Sequence, residues 1–402
     1  MHTFDVAVAG AYASPPPTRG EETSPAAALG LPTALLADLD NYNPGAYDRA
    51  GVRRGLSLLR AGGQLDRTAA DAFALSTARE RGAAAEAYAS QLALLRDVGR
   101  GSLPLGRVVE GHANALELVA RLADDDQRVR WRRDARAGEV FGVWNTEAAD
   151  GVHFRPLPDG TYEISGAKTF CSGARDVTRA VITGQRWEGG RAVGWQLAIV
   201  DPRELAPDRT DDAFWTPLGM QASASLRIDF AGLRIAPTDL LGAPGDYHEE
   251  PFFSGGSVRF AAVQLGGAEA LYDYAVDHLR RLRRDRDPYQ IHRVARMSLA
   301  LRGARHWLDA APRSALPAHD DEAAVVDHGN ATRIAVADAC DVVLAQAEQA
   351  VGARGFLEPE PVRRIYCDLK MYLRQPNPDG ALAAVGHRAV ETFASPLDDD
   401  ER

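Results

Sequence analysis

The residues in this sequence whose types and spacing could support chemistry include a run of three aspartates, Asp124, Asp125 and Asp126. Adjacent carboxylates are ligands that a divalent cation can use. They also suit the first turn of a helix, because negative charge there complements the positive end of the helix dipole. We interpret the run as a helix start and predict no metal site.

Thiol and imidazole groups, the other common metal ligands and nucleophiles, are sparse. The three cysteines, Cys171, Cys340 and Cys367, are too far apart for a zinc site or a disulfide framework. The ten histidines include no His-Glu-x-x-His pair. We interpret Cys171 and Cys367 as buried small side chains rather than nucleophiles, because free cysteine is among the most buried residue types.

Glycine-rich phosphate-binding patterns are missing from the sequence. There is no Gly-x-Gly-x-x-Gly, no P-loop and no Gly-x-Ser-x-Gly turn. These absences argue against a Rossmann-type nicotinamide site, phosphoryl transfer by a P-loop and an α/β-hydrolase nucleophile.

Composition narrows the class of protein further. The 402 residues contain 46 basic and 56 acidic side chains, a net charge of −10, which argues against an electrostatic nucleic-acid or membrane binder. With 45% apolar and 25% charged residues the chain can bury a large core. No segment approaches the roughly 20 apolar residues of a membrane span. We expect a cytoplasmic protein without nucleic-acid or membrane partners.

The pattern along the chain predicts three kinds of segment that must position any functional residues: a tail, helical domains and a β domain. Proline density predicts a tail or linker over residues 1–40. An N-terminal helical domain is predicted over 41–137, with one long amphipathic helix over 66–98 and another over 108–122.

A β domain is predicted over 138–245, because short β-prone runs alternate there with turn signals. The predicted strands lie at 141–144, 162–165, 180–183, 194–200 and 226–230. Helical periodicity returns over 246–402, where a four-helix bundle is predicted. Its helices are placed at 257–283, 290–311, 321–351 and 363–374. The fold class is therefore α+β and multidomain, with helices, then strands, then helices.

Five segments resemble signatures of the acyl-CoA dehydrogenase superfamily, in the same order along the chain. They are Phe141–Glu147, Ile164–Ala174, Leu218–Phe230 with Leu240–Gly242, Arg259–Gly266 and Gln349–Gly355. The resemblance extends over about residues 85–375 and agrees with the α, β, α order.

The resemblance implies a flavoprotein with an N-terminal helical domain, a middle β-barrel and a C-terminal four-helix bundle, assembled as a homodimer or homotetramer. It implies FAD between the β domain and the bundle, with the adenosine end reaching a neighbouring subunit. In the family, a carboxylate removes the α proton of an acyl-CoA thioester while the β hydride passes to the flavin. The electrons then go to an electron-transfer protein or to oxygen.

The resemblance assigns three residues to the flavin ring. Ser172 stands where the family places a hydroxyl near the flavin N5, and Thr146 where it places one beside the pyrimidine ring. Phe170 occupies an aromatic position that packs against the ring. Spacing alone favours the simpler interpretation that Thr146 and Ser172 are strand-end residues bonded to the backbone, and the resemblance reverses this preference.

For the pyrophosphate and adenosine end, the resemblance points to Gln349, Gly352 and Gly355, where small residues let the backbone approach the cofactor. Gly352 could also be a helix C-cap. Arg284 is the candidate partner of the pyrophosphate. Its alternative is a solvated basic helix end, because Asp287 and Pro288 replace the family's Phe-Gly.

The sequence departs from the family at the catalytic base. The glutamate position falls at about Pro376–Pro378, and a second family position for the base is Val258. Three replacements are open: Asp379, beside the proline turn, and the lone histidines His112 and His387.

We therefore expect an FAD-dependent dehydrogenase of acyl-CoA dehydrogenase type that acts on an acyl thioester. Two alternatives are a flavin-dependent monooxygenase or oxidase with a non-CoA substrate on the same fold, and an inactive FAD-binding scaffold. A further alternative is a helical binding protein with no cofactor.

Overall fold

Alanine-rich, amphipathic segments form five helices in the first part of the chain. The computed structural model describes residues 49–357 and 361–393, so the predicted tail over 1–40 lies outside the described residues. The helices are α1 (Arg49–Ala61), α2 (Gln64–Thr77), α3 (Arg81–Gly101), α4 (Leu103–Leu122) and α5 (Asp125–Arg136). The aspartate run does start a helix, because Asp124 caps α5 and accepts a hydrogen bond of 2.8 Å from the Gln127 N–H.

The prediction of one helix over 66–98 is wrong. Ala78 and Glu80 adopt extended backbone, with ψ near 129° and 125°, and break the segment into α2 and α3. The break lets α3 fold back against α2, so that Leu75 and Tyr88 enter the same buried core. A single straight helix would hold Leu75 and Tyr88 about 20 Å apart, at 1.5 Å per residue.

The middle of the chain forms two sheets. The strands are β1 (Phe141–Trp144), β2 (His153–Pro156), β3 (Tyr162–Ser165), β4 (Ala167–Cys171), β5 (Arg179–Glu188), β6 (Arg191–Val200), β7 (Thr210–Asp211), β8 (Leu226–Asp229), β9 (Arg234–Ile235) and β10 (Leu240–Leu241). The larger sheet has the strand order β10, β6, β5, β2, β3, β9, and β1 pairs with β5 in parallel. The smaller sheet has the order β4, β8, β7.

The C-terminal part is a helical bundle in which the long α7 contacts α8, α9 and α10. The helices are α6 (Phe252–Gly255), α7 (Ser257–Arg281), α8 (Pro288–Ser314), α9 (Glu322–Val351), α10 (Pro361–Tyr372) and α11 (Pro378–Glu391). The four predicted bundle helices are confirmed, and α11 is an addition. Among the described helices, none is long and apolar enough to span a bilayer.

Close packing of α3 on α7 joins the N-terminal helices to the bundle. A Cβ added at Gly99 would lie 2.3 Å from the Val263 carbonyl oxygen, and one at Gly266 would lie 1.9 Å from that of Arg96. Next in the chain, α4 packs against both β1 and α7. This helix therefore lies at the junction of all three parts, where a site between them must form.

Candidate functional site

A cleft of about 760 Å³ opens at this junction. Its walls come from the strand ends of the sheet region, from α4, and from the C-terminal helices with their connecting loops. The lining includes Asn145, Thr146, Phe170, Ser172, Trp215, Met220, Ser223, Ser225, Arg107, Glu110, Asn114, Tyr247, Phe253, Phe260, Asn330, Arg333, Tyr372, Arg374, Gln375 and Asn377. A volume of this size accommodates a flavin ring or a similar small molecule.

The sheet region supplies an aromatic and hydroxyl-bearing wall. Phe170 has a left-handed φ of 53° and leaves 48% of its surface exposed beside the cleft. Its ring packs edge-on against Phe214 and Trp215, at centroid distances of 5.2 and 6.0 Å. Strained backbone at a non-glycine residue persists where the surroundings enforce it, often at functional sites. Phe170 is thus held as a flat apolar surface next to Thr146 and Ser172.

A row of three serine hydroxyls fixes the polarity of this wall. Ser223 donates to the carbonyl oxygen of Met220 at 2.8 Å, and the Ser225 hydroxyl lies 2.9 Å from those of both Ser223 and Ser172. Because each hydroxyl has one proton, Ser225 must donate to Ser223, and Ser172 to Ser225. Ser172 therefore presents lone pairs, not a proton, to the cleft.

Lys168 supports the wall from behind. Its side chain is fully buried and donates to the Asn145 carbonyl at 3.0 Å and to the Thr183 hydroxyl at 2.8 Å, and it forms an ion pair with Glu147. Burial lowers the pKa of Lys168, and the Glu147 carboxylate opposes this effect. Lys168 thus holds the Asn145 backbone and the Glu147 side chain, the two neighbours of Thr146 in the chain.

The helix α4 contributes a charged wall. Arg107, Glu110 and Asn114 stand three and four residues apart and line the cleft together. Glu110 accepts hydrogen bonds from both Arg107 and Asn114. Burial acts to lower the pKa of Arg107, but the charge and hydrogen bond of Glu110, together with the nearby Tyr372 and Tyr247, raise this pKa above its usual value.

The charged wall continues into a side chamber of about 170 Å³. There Arg259 donates to Asn114 and forms a buried ion pair with Glu117. The connected side chains Arg107, Glu110, Asn114, Arg259 and Glu117 form what we call the α4 network. A chain of this kind fixes its members in one geometry.

Two tyrosines face this network. Tyr372 is buried, lines the cleft, and its hydroxyl has no hydrogen-bond partner in the described structure. Burial raises the pKa of Tyr372 well above its usual value, and the charge of Glu110 adds to the effect. Burial also raises the pKa of Tyr247 to about 12. Both phenols remain neutral donors at physiological pH.

Similar proteins fit this architecture. Residues 258–373 match the family model described as "Acyl-CoA dehydrogenase, C-terminal domain". The chain is 25% identical over 285 residues to dibenzothiophene monooxygenase of Rhodococcus erythropolis, covering 64% of this chain and 67% of that protein. It is 23% identical over 361 residues to the mitochondrial short-chain specific acyl-CoA dehydrogenase of Bos taurus, covering 85% and 81%.

A solved structure shows the same fold. Dibenzothiophene monooxygenase (TdsC) from Paenibacillus sp. A11-2, in complex with FMN and indole, matches with a TM-score of 0.75 at 19% identity. The match covers 92% of this chain and 98% of that one. The chain is therefore similar, in sequence and in fold, to enzymes of the acyl-CoA dehydrogenase superfamily. Flavin-dependent oxidoreductases are thus its relatives.

Not every site residue predicted from the sequence reaches the cleft. Thr146, Phe170 and Ser172 do so together. The three candidate bases do not. Asp379 is exposed in the first turn of α11, and His387 is exposed further along that helix.

His112 lies on the opposite side of α4 from the cleft. It is fully buried, and its Nδ1 accepts the Phe141 N–H at 3.0 Å. Burial lowers the pKa of His112 to about 4. The neutral ring serves the packing of α4 on β1, so His112 cannot take a proton directly from a molecule in the cleft.

The residues assigned to the adenosine end also lie outside the cleft lining of this chain. Arg284 is exposed and hydrogen-bonds Asp287 at 3.1 Å, which is the solvated helix-end alternative. Gln349 accepts a long hydrogen bond from Arg293 near the end of α9, where Gly352 adopts a φ of 62° before Gly355. Any role for these four residues requires a cofactor that extends beyond the cleft.

Sequence reasoning missed the face of α4 that lines the cleft and the cleft residues Arg333, Tyr372 and Arg374. Glu110 stood two residues from a named candidate, and the Arg107, Glu110, Asn114 spacing was the available signal. Arg333 and Tyr372 carry no such signal, because their importance depends on contacts between helices distant in sequence.

Proposed function

We propose that this protein is a flavin-dependent monooxygenase that acts on a small polar substrate not attached to CoA. The observation that carries the proposal is the α4 network, which places charged and amide side chains where a substrate enters the cleft beyond Thr146 and Ser172. The two dibenzothiophene monooxygenases named above, one of which was solved in complex with FMN and indole, support it.

The cost of removing water from charged side chains favours a polar substrate in the cleft. Glu110 is almost fully buried, but 23% of the Arg107 side chain is still exposed. An acyl chain packed on this part would remove water from a cation without giving it a hydrogen bond, and each buried methylene gains only about 0.8 kcal/mol. A substrate with hydrogen-bonding groups replaces the lost water and therefore fits this wall better.

The placement of carboxylates supports the same choice. Acyl-CoA dehydrogenation needs a base beside the α carbon, yet Asp379 is exposed and Val258 is a buried apolar residue. Both oxygens of Glu110 already accept hydrogen bonds. Oxygenation does not require a base at that place.

The wall of Thr146, Phe170 and Ser172 fits a flavin ring. Phe170 supplies a flat apolar surface and Ser172 an acceptor, which suits an N–H of the reduced ring. A reduced flavin bound here supplies two electrons, with which O₂ gives one oxygen atom to the substrate and one to water. The chain itself orients the substrate through the α4 network and excludes water with Trp215 and Phe253.

The size of the flavin is part of the proposal. FAD, which the family resemblance implies, would need Arg284 and the 349–355 segment from a neighbouring subunit in a homodimer or homotetramer. FMN needs only the cleft. We propose that the isoalloxazine wall is common to both and that a comparison of the two dissociation constants identifies the cofactor.

The test is a two-part assay on the full-length protein loaded with FMN or FAD. First, a flavin reductase and NADH supply reduced flavin under ¹⁸O₂, and mass spectrometry searches a panel of small polar aromatic compounds for a product with one ¹⁸O. Second, acyl-CoA thioesters are titrated anaerobically and the flavin absorbance is followed. We expect ¹⁸O incorporation and no bleaching.

Bleaching by an acyl-CoA would establish dehydrogenation and overturn the proposal. Failure of the protein to retain either flavin would overturn it as well. The wall is checked by the Thr146→Ala/Ser172→Ala double variant, for which we expect weaker flavin binding and a shifted flavin spectrum. Full affinity with an unshifted spectrum would remove these two residues from the site.

A further inference from the structure

We propose that the far wall of the cleft binds the anionic group of the substrate, a carboxylate or a phosphate, through Arg333 with Arg374 and Asn330. This inference rests on the proposed function, because it names the chemical class of the substrate. It concerns the wall formed by α9 and the loop after α10, opposite the sheet region.

Arg333 is a partly buried cation that pairs with no carboxylate in the part of the chain that the structure describes. On α9 it donates to the Pro376 carbonyl oxygen at 2.7 Å, and its guanidinium carbon lies 5.2 Å from the centre of the Phe260 ring. Neither partner carries a negative charge. Burial lowers the pKa of Arg333, and no nearby carboxylate opposes this effect.

Three other arginines that are largely withdrawn from solvent are paired with carboxylates. Arg107 is paired with Glu110, and Arg259 with Glu117, inside the α4 network. Arg96 is paired with Glu269 in the bundle. Because arginine stays protonated and a buried charge needs compensation, the absence of a carboxylate beside Arg333 among the described residues favours an anionic ligand as its partner.

The charges of the residues that line the cleft also favour an anionic ligand. The described residues that line it include three arginines, Arg107, Arg333 and Arg374, but only one carboxylate, that of Glu110. The whole chain has a net charge of −10. A positive cleft in an acidic protein concentrates small anions and repels cations.

The geometry of Arg333 leaves donors for a ligand. A guanidinium has five N–H groups in a planar fork, and the bond to Pro376 uses one of them. A carboxylate or phosphate can take two parallel bonds from such a fork. Asn330 stands one helical turn before Arg333 on α9 and also lines the cleft, so its amide can add a third donor.

The surroundings suit a flat ring attached to the anion. Phe253, Phe260 and Tyr247 line the same cleft, so an aromatic body can pack beside them while its acidic group meets Arg333. Benzoate and phenyl phosphate are therefore the probes, one for each anion. Benzamide is the matched neutral probe, because it has nearly the same shape without the charge.

The experiment is isothermal titration calorimetry of the full-length, flavin-loaded protein with these three probes. We expect at least one anion to bind at least tenfold more tightly than benzamide, because charge-assisted hydrogen bonds are stronger than neutral ones. Which anion binds better identifies the group. Equal binding of benzamide and both anions overturns the proposal.

Three variants locate the site. Arg333→Gln removes the charge and keeps a donor, and we expect anion affinity to fall about 10- to 100-fold with benzamide affinity and flavin affinity unchanged. Arg374→Gln, at an exposed position, is expected to weaken the same anion by less. The control Arg191→Gln removes an exposed charge at the start of β6 and is expected to change nothing.

Two results would overturn the assignment. If Arg333→Gln lowers flavin affinity and leaves the anion untouched, the arginine belongs to the flavin phosphate. If it lowers neither, Arg333 only holds the Pro376 loop. Should Arg333→Gln fail to fold, Arg374→Gln decides: unchanged affinity for both anions then counts against the site.

The same titration on protein purified without flavin separates this inference from the proposed function. Anion binding that responds to Arg333→Gln in a protein that binds no flavin would support the anion site while removing the monooxygenase. Product formation under ¹⁸O₂ from neutral compounds only, with no anion binding, would do the reverse.

Discussion

Replacing Lys168 by methionine is expected to destabilise the protein and to weaken flavin binding. Methionine keeps the length and apolar stem of the lysine but removes the cation. The change leaves the Asn145 carbonyl and the Thr183 hydroxyl without the donor that now lies 3.0 and 2.8 Å away. Glu147 loses its ion pair and keeps the Val152 N–H, at 2.7 Å, as a donor.

The magnitude follows from burial. Removing one partner of a buried ion pair costs about 3–5 kcal/mol. Lys168 is fully buried, but 28% of the Glu147 side chain is exposed, so water can partly solvate the orphaned carboxylate. We therefore expect a loss of about 2–4 kcal/mol in the free energy of unfolding. Displacement of Thr146 forfeits about one hydrogen bond to the flavin, which corresponds to up to about tenfold in affinity.

The chain supplies its own control, because its two lysines differ only in environment. Lys370 pairs with Asp341 at 2.9 Å, and both side chains are 48% exposed. A surface pair of this kind contributes about 0–1 kcal/mol, so Lys370→Met is expected to be nearly neutral. Urea unfolding measures both free energies, and quenching of flavin fluorescence measures the affinities.

Two outcomes would refute this reasoning. If Lys168→Met costs no more than Lys370→Met, the buried network does not stabilise the strand end. If Lys168→Met is destabilised but binds flavin with unchanged affinity, the network holds the sheet and not the flavin wall. A Lys168→Met/Glu147→Gln double variant should recover part of the lost stability, because it removes the orphaned charge.

Two further predictions concern stability. Burial raises the pKa of Asp368 from 3.8 to about 6, so the free energy of unfolding should fall as pH rises between these values. Asp368→Asn can still accept the Met220 N–H and should be more stable than the parent by at most about 3 kcal/mol at pH 8. Urea titrations should show this difference closing toward pH 4. Gly266→Ala should lower the free energy of unfolding by about 1–3 kcal/mol or more, because its Cβ would meet the Arg96 carbonyl at 1.9 Å. Gly303→Ala, in open space on α8, should raise it by up to about 1 kcal/mol. A thermal melt in which the two variants shift alike would contradict the packing argument.

The order of elements could be predicted because it depends on local periodicity. Strand runs such as 141–144 and helices such as 321–351 carry their pattern in neighbouring residues. The break between α2 and α3 at Ala78–Glu80 could not be predicted, because no glycine or proline marks it. Helix α11 was missed for the opposite reason: Pro376 and Pro378 suggested a loop, although proline is well tolerated in the first turn of a helix.

For the candidate site, the sequence could predict helix α4 but not which of its faces lines the cleft. The sequence drew attention to α4 through His112, a residue type that often does chemistry. The Phe141 N–H needs an acceptor where α4 meets β1, and His112 satisfies it. Position 110, two residues earlier, therefore points in another direction, since successive helical residues turn by about 100°. Only the contacts of α4 with the sheet could decide between them.

The α4 network also constrains how such a cleft can change its substrate. Arg107, Glu110, Asn114, Arg259 and Glu117 are joined in one chain, so a single apolar substitution leaves a partner charge buried and unpaired. Breaking a buried pair costs about 3–5 kcal/mol, whereas replacing both partners together is often neutral. Conversion to an apolar acyl pocket thus requires paired changes, each costly alone. The charged wall is therefore hard to lose one residue at a time, and polar substrates are the ones that fit it.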